Sequence, residues 1–218
     1  MYNLIKRFFD ILFSLIIIII LIPLFVPVII LLFFTGENEI FYRQIRVGKN
    51  NKDFGMLKFV TMVKNSPNIG TGIYTAKNDP RVLPVGKFLR KTKINELPQI
   101  FNILLGDMSF VGPRPLIRRT YLFYTAKEQK IIGSVKPGLT GIGSVFFRDE
   151  ESLFFNVKTN LEDYYKNNIA PSKASLELWY INRKSFYVDF MIILTTAWVI
   201  FFPKSNLLVK VFKNLPDL

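Results

Sequence analysis

Two apolar runs lie near the ends of the chain, and a segment of mixed polarity separates them. The first run, Ile11–Phe34, has 24 residues without a charged side chain, and Ser14 is its only polar one. A helix that crosses a bilayer needs about 20 apolar residues, so this run predicts a membrane helix. The second run, Phe190–Phe202, has 13 residues and is too short to span. It predicts either a helix at the membrane interface or a buried core helix.

Two features of the first run favour a helix that enters one leaflet and returns over a helix that spans. Pro23 and Pro27 lie inside the run, where each removes a helical hydrogen bond. Basic residues flank the run on both sides, which favours a cytoplasmic position for both ends. They are Lys6 and Arg7 before it and Arg43, Arg46, Lys49 and Lys52 after it. A single-span anchor with a proline kink remains the alternative, and no small-residue cleavage site of a secretory signal follows the run.

The middle of the chain predicts a small α/β scaffold. Short strands are expected around the turn Gly48–Asn51, between Glu39 and Phe59. A cationic segment, Arg81–Lys93, is followed by apolar residues at helical spacing that stop at Gly106. Asn95 is the expected N-cap of that helix, which places it and Glu96 at a helix start beside the cations.

Composition restricts the chemistry that the chain can perform. The chain has 218 residues, enough for one domain, and no cysteine or histidine, which excludes disulfides and the usual zinc sites and catalytic triads. Lys and Arg number 29 against 16 Asp and Glu, a formal net charge of +13. This surplus favours anionic partners. No nucleic-acid motif is present, so a nucleic-acid partner is not expected.

Asn95 and Glu96 form the first candidate site. A helix start favours phosphate, Arg90 or Lys91 could add charge-assisted hydrogen bonds, and Glu96 could hold Mg²⁺ against a diphosphate. The alternative is a structural cap with Glu96 complementing the helix dipole. A second candidate is the loop Gly112–Pro115, in which two prolines flank Arg114 and fix its backbone. It is either a phosphate-binding loop or a structural turn with a solvated arginine.

Motifs through most of the chain resemble, in order, those of the bacterial sugar transferases. These are small monotopic phosphoglycosyl transferases that begin lipid-linked glycan assembly. The matching residues are Lys6-Arg7, Phe41, Gln44 to Gly48, Lys58-Phe59, Thr61-Met62, Asp79 to Arg81, Gly86 to Lys91, Glu96 to Gln99, Gly106 to Ser109, Val111 to Pro115, Pro137 to Gly141, Tyr180 and Asp189.

The resemblance implies an α/β, helix-rich, monotopic membrane protein with a proline-broken re-entrant helix at residues 1–36. Residues 37–218 would form a cytoplasmic catalytic domain with interfacial C-terminal helices, the two parts making one functional unit at the cytoplasmic face of the bacterial inner membrane. The family transfers a sugar-1-phosphate from a UDP-sugar to a polyprenyl (undecaprenyl) phosphate, releases UMP and uses Mg²⁺. A homodimer is a further possibility, and membrane lipids are expected partners.

The resemblance also assigns roles to single residues. Glu96 matches the family's metal-binding Glu, and Arg90 and Arg114 match arginines near the phosphates. We add as binding residues Lys58, Arg81 and Lys91 at the donor, and Lys6 and Arg7 at the acceptor phosphate.

Asn95 departs from the family, which usually has a nucleophilic Asp at this position. A neutral amide is a poor phosphorus nucleophile. Four explanations stay open: Glu96 attacks, another acid such as Asp107 or Asp149 attacks, the lipid phosphate attacks directly, or the chain is inactive. The last corresponds to a non-catalytic membrane-associated binding partner that keeps the fold. Lesser departures are Val60 and Ser144, and an acidic-aromatic stretch from Phe147 to Lys173 is either a lid or a solvated loop.

Overall fold

The apolar run near the N-terminus forms one long helix, α1, Tyr2–Thr35. The computed structural model describes residues 1–35, 38–69, 79–150, 160–202 and 205–216. At 34 residues and about 1.5 Å per residue, α1 is long and apolar enough to cross a membrane. It continues without interruption through Pro23 and Pro27, so the two prolines do not end the helix. Among the described residues it alone meets that criterion of length and composition.

The predicted strands around Gly48–Asn51 are confirmed. β1, Phe41–Val47, and β2, Asp53–Phe59, form a two-stranded sheet joined by the 3₁₀ turn Lys49–Asn51. Asn50 and Asn51 have φ values of 58° and 59°, a left-handed conformation that asparagine tolerates better than most residues. The polar segment Asn65–Asp79 falls for the most part outside the described residues, which include a short 3₁₀ turn at Ser66–Asn68.

One compact unit consists of residues 11–44 and 55–105. Its helices after β2 are α2, Pro84–Lys91, and α3, Gln99–Leu105, with the 3₁₀ turn Ile94–Glu96 between them. Phe25 of α1 packs its ring 5.4 Å from that of Phe59 and 6.0 Å from that of Phe101. The buried amide of Asn102 donates to the carbonyl of Gly55 and accepts from the N–H of Leu57, so α3 is fixed to β2.

The prediction that Asn95 caps the following helix is wrong. Lys93 has a φ of 61°, which separates Ile94–Glu96 from α2 as a single 3₁₀ turn. Pro98 has no N–H, and α3 begins one residue later at Gln99. The predicted stop is confirmed, because α3 ends at Leu105 and Gly106 has a φ of 100°.

The other compact unit consists of residues 1–10, 45–54 and 106–218. The Gly106–Pro115 and Lys136–Gly141 motifs meet there as β3, Ser109–Val111, and β4, Gly138–Thr140, which pair in parallel. Its helices are α4 (Arg118–Tyr121), α5 (Ala126–Ile132), α6 (Ile142–Phe146), α7 (Leu161–Tyr164), α8 (Ala170–Arg183), α9 (Phe186–Phe201) and α10 (Leu207–Val211), with a π-helical turn at Tyr165–Ile169. The core lies around α8, which packs on α5 and α6.

The second apolar run corresponds to α9, which begins four residues earlier than the run. Ser185 caps it by accepting a hydrogen bond from the N–H of Val188. One face of α9 is buried through Ile192, Thr195 and Val199, while large apolar side chains on the remaining surface are exposed. The helix therefore has both a core face and an apolar exposed face. The molecule is helix-rich α/β, as predicted. Residues 151–159, a third of the acidic-aromatic stretch considered as a lid, lie outside the described residues.

Candidate functional site

The turn Ile94–Glu96 holds two of the predicted catalytic residues in different environments. Asn95 is 7 % exposed, and its Oδ1 has no hydrogen-bond partner. The side chain of Glu96 is 31 % exposed, and its Oε1 lies 3.9 Å from Nζ of Lys58 on β2. A buried amide oxygen without a partner is costly in a folded protein, and such groups call for an explanation such as a ligand.

Arg90 is held beside this turn by the segment that follows β2. Its Nε donates to Oγ1 of Thr61 at 3.0 Å, and its Nη2 lies 3.4 Å from the sulfur of Met62. The backbone of Thr61 also receives the N–H of Leu83 at 3.0 Å. A Cβ at Gly86 would lie 2.1 Å from the carbonyl oxygen of Thr61, so only glycine allows α2 to approach this closely. The two motifs Lys58–Met62 and Gly86–Lys91 are therefore one packed structure.

Arg81 and Lys91, the other cations predicted to bind the donor, differ in accessibility. Arg81 is 5 % exposed and forms a two-point ion pair with Asp79, Nε to Oδ1 at 2.9 Å and Nη2 to Oδ2 at 2.5 Å. Its Nη1 donates to the carbonyls of Ser66 and Ile69, both at 2.7 Å. Arg81 thus fixes the chain ahead of α2. Lys91 is exposed at the end of α2.

Arg114 belongs to the other compact unit and is presented by a rigid loop, as predicted. Its N–H donates to Oε1 of Glu177 at 3.2 Å, and its side chain is exposed. Glu177 is fully buried on α8, and burial raises its pKa from 4.5 to about 7. A Cβ at Gly112 would lie 2.5 Å from the carbonyl oxygen of Lys136, so the loop lies directly on the segment before β4.

Lys6, predicted at the acceptor phosphate, belongs to a buried network in that same unit. Its Nζ lies 2.5 Å from Oδ2 of Asp189 and donates to the carbonyl of Val111 at 2.8 Å. The hydroxyls of Tyr2 and Tyr180 donate to Asp189 at 2.7 and 2.8 Å. The network ties the start of α1 to α8 and α9. Arg7, the other cation predicted there, is half-buried at a cavity next to this network.

Sequence reasoning missed the partners that surround these residues. Asp10 accepts hydrogen bonds from the Ser109 hydroxyl and the Phe110 N–H, each at 3.1 Å. Lys173 on α8 is bound by both carboxylate oxygens of Glu150 at 2.7 Å. No local pattern marks these pairs, because each joins residues that are far apart in the chain.

The chemistry of the Asn95–Glu96 turn fits a divalent ion bound through few protein ligands. Within the described residues no group of three or more acidic side chains could hold a metal. Mg²⁺, however, commonly takes one or two carboxylates and completes its shell with substrate phosphates and water. The half-exposed Glu96 carboxylate and the unpartnered Asn95 oxygen are hard oxygen donors of that kind. The residues present therefore fit the predicted Mg²⁺.

Comparison with known proteins establishes the family. The model of the bacterial sugar transferase family matches residues 1–203, so the chain belongs to this family. The exopolysaccharide production protein ExoY of Sinorhizobium fredii is 34 % identical over 177 residues, which are 75 % of this chain and 77 % of that protein.

Two further relatives carry names that state their substrates. The undecaprenyl-phosphate galactose phosphotransferase of Salmonella typhimurium is 33 % identical over 209 residues, 89 % of this chain and 40 % of that protein. The UDP-glucose:undecaprenyl-phosphate glucose-1-phosphate transferase of Klebsiella pneumoniae is 33 % identical over 205 residues, 92 % of this chain and 41 % of that protein. The chain thus spans most of ExoY and about two fifths of these two longer relatives.

Proposed function

We propose that the chain transfers a sugar-1-phosphate from a UDP-sugar to a polyprenyl phosphate and releases UMP. The substrates in the names of the Salmonella and Klebsiella relatives support this proposal. The observation that carries it is the Asn95–Glu96 turn, where the partly exposed Glu96 carboxylate lies 3.9 Å from Lys58, the Asn95 oxygen has no partner, and the turn contacts α2, the helix that contains Arg90. This arrangement suits a diphosphate with a divalent ion, and phosphoryl transfer depends mainly on positioning and electrostatics.

The proposal places the protein at the cytoplasmic face of the bacterial inner membrane, with α1 entering and leaving on that side. Basic residues at both ends of the apolar run and the two prolines inside it support a re-entrant path. Because the chain has no cysteine, single cysteines at positions 3 and 39 can report the side of each end in intact cells. Protection of both from an impermeant maleimide is expected; labelling of one end only would instead show a spanning helix.

Each side chain of the turn has a distinct proposed task. Glu96, with the Asn95 oxygen beside it, would hold Mg²⁺, which when bound neutralises charge on the diphosphate. Lys58 holds the Glu96 carboxylate in place, and Arg90, oriented by Thr61, donates to a donor phosphate oxygen. Lys91 adds positive charge from the surface. Arg114 belongs to the other unit, and its role at the phosphates stays a prediction.

We propose that the acceptor phosphate attacks the donor directly, because Asn95 has no nucleophilic oxygen of the usual kind. An oxygen of the polyprenyl phosphate forms a bond to the sugar-bearing phosphorus. The bond from that phosphorus to the bridging oxygen breaks, and its electron pair leaves with UMP. Glu96 then keeps a single task, that of ligand. Asp107 and Asp149 are exposed to solvent, where a carboxylate is well hydrated and less reactive.

The test is UMP release by the full chain in nanodiscs with Mg²⁺, a panel of UDP-sugars, and polyprenyl phosphate present or absent. Direct attack requires both substrates for any release. Asn95→Asp restores the family's nucleophile, so this variant is expected to release about one UMP per protein without acceptor. A burst from the unaltered chain without acceptor would contradict direct attack and favour Glu96 as nucleophile.

Asn95 also favours a second candidate, a non-catalytic membrane partner that binds a nucleotide sugar or a polyprenyl phosphate. Binding of a UDP-sugar by calorimetry, with no UMP release from the unaltered chain for any member of the panel, would support this candidate. Release that depends on the acceptor would exclude it. The predicted homodimer stays a prediction.

A further inference from the structure

A cavity of about 130 Å³ opens beside the N-terminus of α1 in the unit that contains residues 1–10 and 106–218. Its lining includes five cationic side chains and one carboxylate, and we call it the cationic cavity. These residues are Lys6, Arg7, Lys49, Lys136, Lys184 and Asp10. The lining contains none of the residues assigned to the donor diphosphate.

The positive charge of the cationic cavity is only partly compensated by the protein. Lys6 is neutralised by Asp189, and Asp10 accepts from Ser109 and Phe110. In the part of the chain that the structure describes, no carboxylate lies within ion-pair distance of Lys49, Lys136 or Lys184. Burial lowers the pKa of Lys136, and the positive charge of Arg7 adds to this effect, while the carboxylates of Asp10 and Asp107 oppose it.

Gly106 brings two of the cations to one point. A Cβ at Gly106 would lie 3.2 Å from Nη2 of Arg7 and 3.3 Å from Nζ of Lys136. The φ of Gly106 is 100°, a conformation that other residues rarely adopt, so a glycine suits this position. Two cationic groups that converge in this way can bind an anion with several acceptor oxygens.

The cationic cavity lies where two apolar helices begin. The rings of Tyr2 on α1 and Phe186 on α9 are 5.1 Å apart, and Phe9 lies 6.4 Å from Phe186. Phe8 and Tyr187 are exposed on the same two helices. Lys184, two residues before α9, is part of the cavity lining. Cations at the start of exposed apolar helices are the arrangement that binds lipid head groups at a membrane surface.

We propose that the cationic cavity binds the phosphate group of a membrane lipid, with Arg7, Lys49 and Lys136 as its principal ligands. Bilayer phospholipids and polyprenyl phosphate share this chemistry, and the acyl or prenyl chain would lie along the exposed aromatic residues of α1 and α9. The inference rests on the membrane attachment in the proposed function but not on sugar transfer.

The experiment compares lipid binding by three forms of the full chain in detergent, using native mass spectrometry. They are the unaltered protein, the cavity variant Lys49→Gln/Lys136→Gln, and the control Lys127→Gln/Lys130→Gln, which loses the same charge at exposed positions of α5. Phosphatidylglycerol and polyprenyl phosphate are titrated separately, with diacylglycerol as the lipid without phosphate. The cavity variant is expected to bind at least one of the phosphate lipids about tenfold more weakly than the control does. Diacylglycerol should not distinguish the variants.

A second measurement uses the unaltered protein and therefore does not depend on whether the variant folds. Acylation of lysines, read by peptide mass spectrometry, should be slowed at Lys49 and Lys136 by a phosphate lipid and unchanged at Lys127. The lipid that protects at the lower concentration identifies the source of the phosphate.

Equal affinities for the cavity and control variants, or no protection by either lipid, would overturn the proposal. Inorganic phosphate that protects as well as any lipid at the same concentration would show a soluble-anion site and overturn the lipid assignment. None of these readouts uses a nucleotide sugar, so failure here and failure of sugar transfer remain distinguishable.

Discussion

The two compact units each contain a charged cluster, and the clusters differ in how completely their polar atoms are partnered. In the unit of residues 1–10, 45–54 and 106–218, Asp189 accepts hydrogen bonds from Lys6, Tyr2 and Tyr180, and the network is largely buried. In the unit of residues 11–44 and 55–105, the oxygen of Asn95 has no hydrogen-bond partner, and the partly exposed Glu96 carboxylate lies 3.9 Å from Nζ of Lys58.

This difference indicates that the Asp189 network mainly stabilises the fold, whereas the Asn95–Glu96 turn mainly serves function. A fully hydrogen-bonded buried network holds its side chains in a single arrangement. Removing one charged member leaves its partner charge buried and uncompensated, which is strongly destabilising. The Glu96 carboxylate is partly exposed, so its ion pair with Lys58 contributes little to stability and the carboxylate is accessible to a ligand. The two clusters should therefore respond to single substitutions in opposite ways.

The largest effect is expected from Glu96→Gln. The change removes the carboxylate proposed to hold Mg²⁺ while keeping the side-chain shape. UMP release should fall by about 10²- to 10³-fold, a loss typical of removing one electrostatic group from an active site. The thermal midpoint should stay within about 1 °C, because the pair with Lys58 is partly exposed and weak.

Glu39→Gln is the matched control, since Glu39 is an exposed carboxylate of the same unit and pairs with Lys64. It should leave UMP release unchanged. A fully active Glu96→Gln variant would contradict the proposed Mg²⁺ site at Glu96, whatever the activity of Asn95 variants.

Asp189→Asn tests the stabilising role of the network around Lys6 and Asp189. It leaves the ammonium of Lys6 without its counter-ion in a site where the two side chains are 16 % and 12 % exposed. Breaking such a pair is expected to lower the free energy of unfolding by about 3 kcal/mol, measured by thermal or denaturant unfolding in detergent. Activity per folded molecule should change far less than with Glu96→Gln.

The control for this substitution is Asp53→Asn, which breaks an ion pair with Arg118 whose side chains are 46 % and 42 % exposed. It should cost about 0.5 kcal/mol or less. The apolar double variant Lys6→Met/Asp189→Leu should recover much of the lost stability, because no charge is then left unpaired. If Asp189→Asn were no more costly than Asp53→Asn, the network would not have the stabilising role assigned to it.

Local sequence signals predicted the elements of the fold better than the environment of the site. The apolar run, the asparagine turn between β1 and β2, and the stop at Gly106 are short-range features, and each is present in the structure. The N-cap assigned to Asn95 failed because the left-handed Lys93 isolates a single 3₁₀ turn. The amide of Asn95 is buried because of its position in that turn, and it does not cap a helix.

The cationic cavity shows what single-sequence reasoning cannot reach. Lys49 lies in the turn after β1, Lys136 precedes β4, and Lys184 precedes α9. Each has the pattern of an ordinary surface lysine. Only tertiary packing places these lysines around one cavity with Arg7, and their spacing along the chain does not predict that they lie close together. The same is true of Glu177, which lies in the middle of α8 and far in sequence from the Arg114 loop that it supports.

A further expected effect depends on pH and concerns Glu177. Its pKa is raised from 4.5 to about 7, first by burial and against the favourable charges of Lys173 and Arg114. Between these two values the folded protein keeps a proton that the unfolded chain releases. The contribution of Glu177 to stability is therefore largest below about pH 4.5, falls as the pH rises towards 7, and stays low above it. The full difference is on the order of 3 kcal/mol.

The measurement compares the unfolding free energies of the unaltered chain and Glu177→Gln between pH 5 and pH 8. The amide is neutral throughout, so the difference between the two proteins should shift in favour of the variant as the pH rises. The absence of histidine simplifies this window, since no imidazole titrates in it. Glu162→Gln is a control that should show little pH dependence in this range, because the hydrogen bond from Arg119 lowers the pKa of Glu162 and its contribution is lost only as the pH falls below about 4.5. A constant difference between Glu177→Gln and the unaltered chain across the range would show that Glu177 is ionised in the folded protein. The Arg114 loop would then rest on a buried carboxylate charge, which accepts a hydrogen bond from the N–H of Arg114.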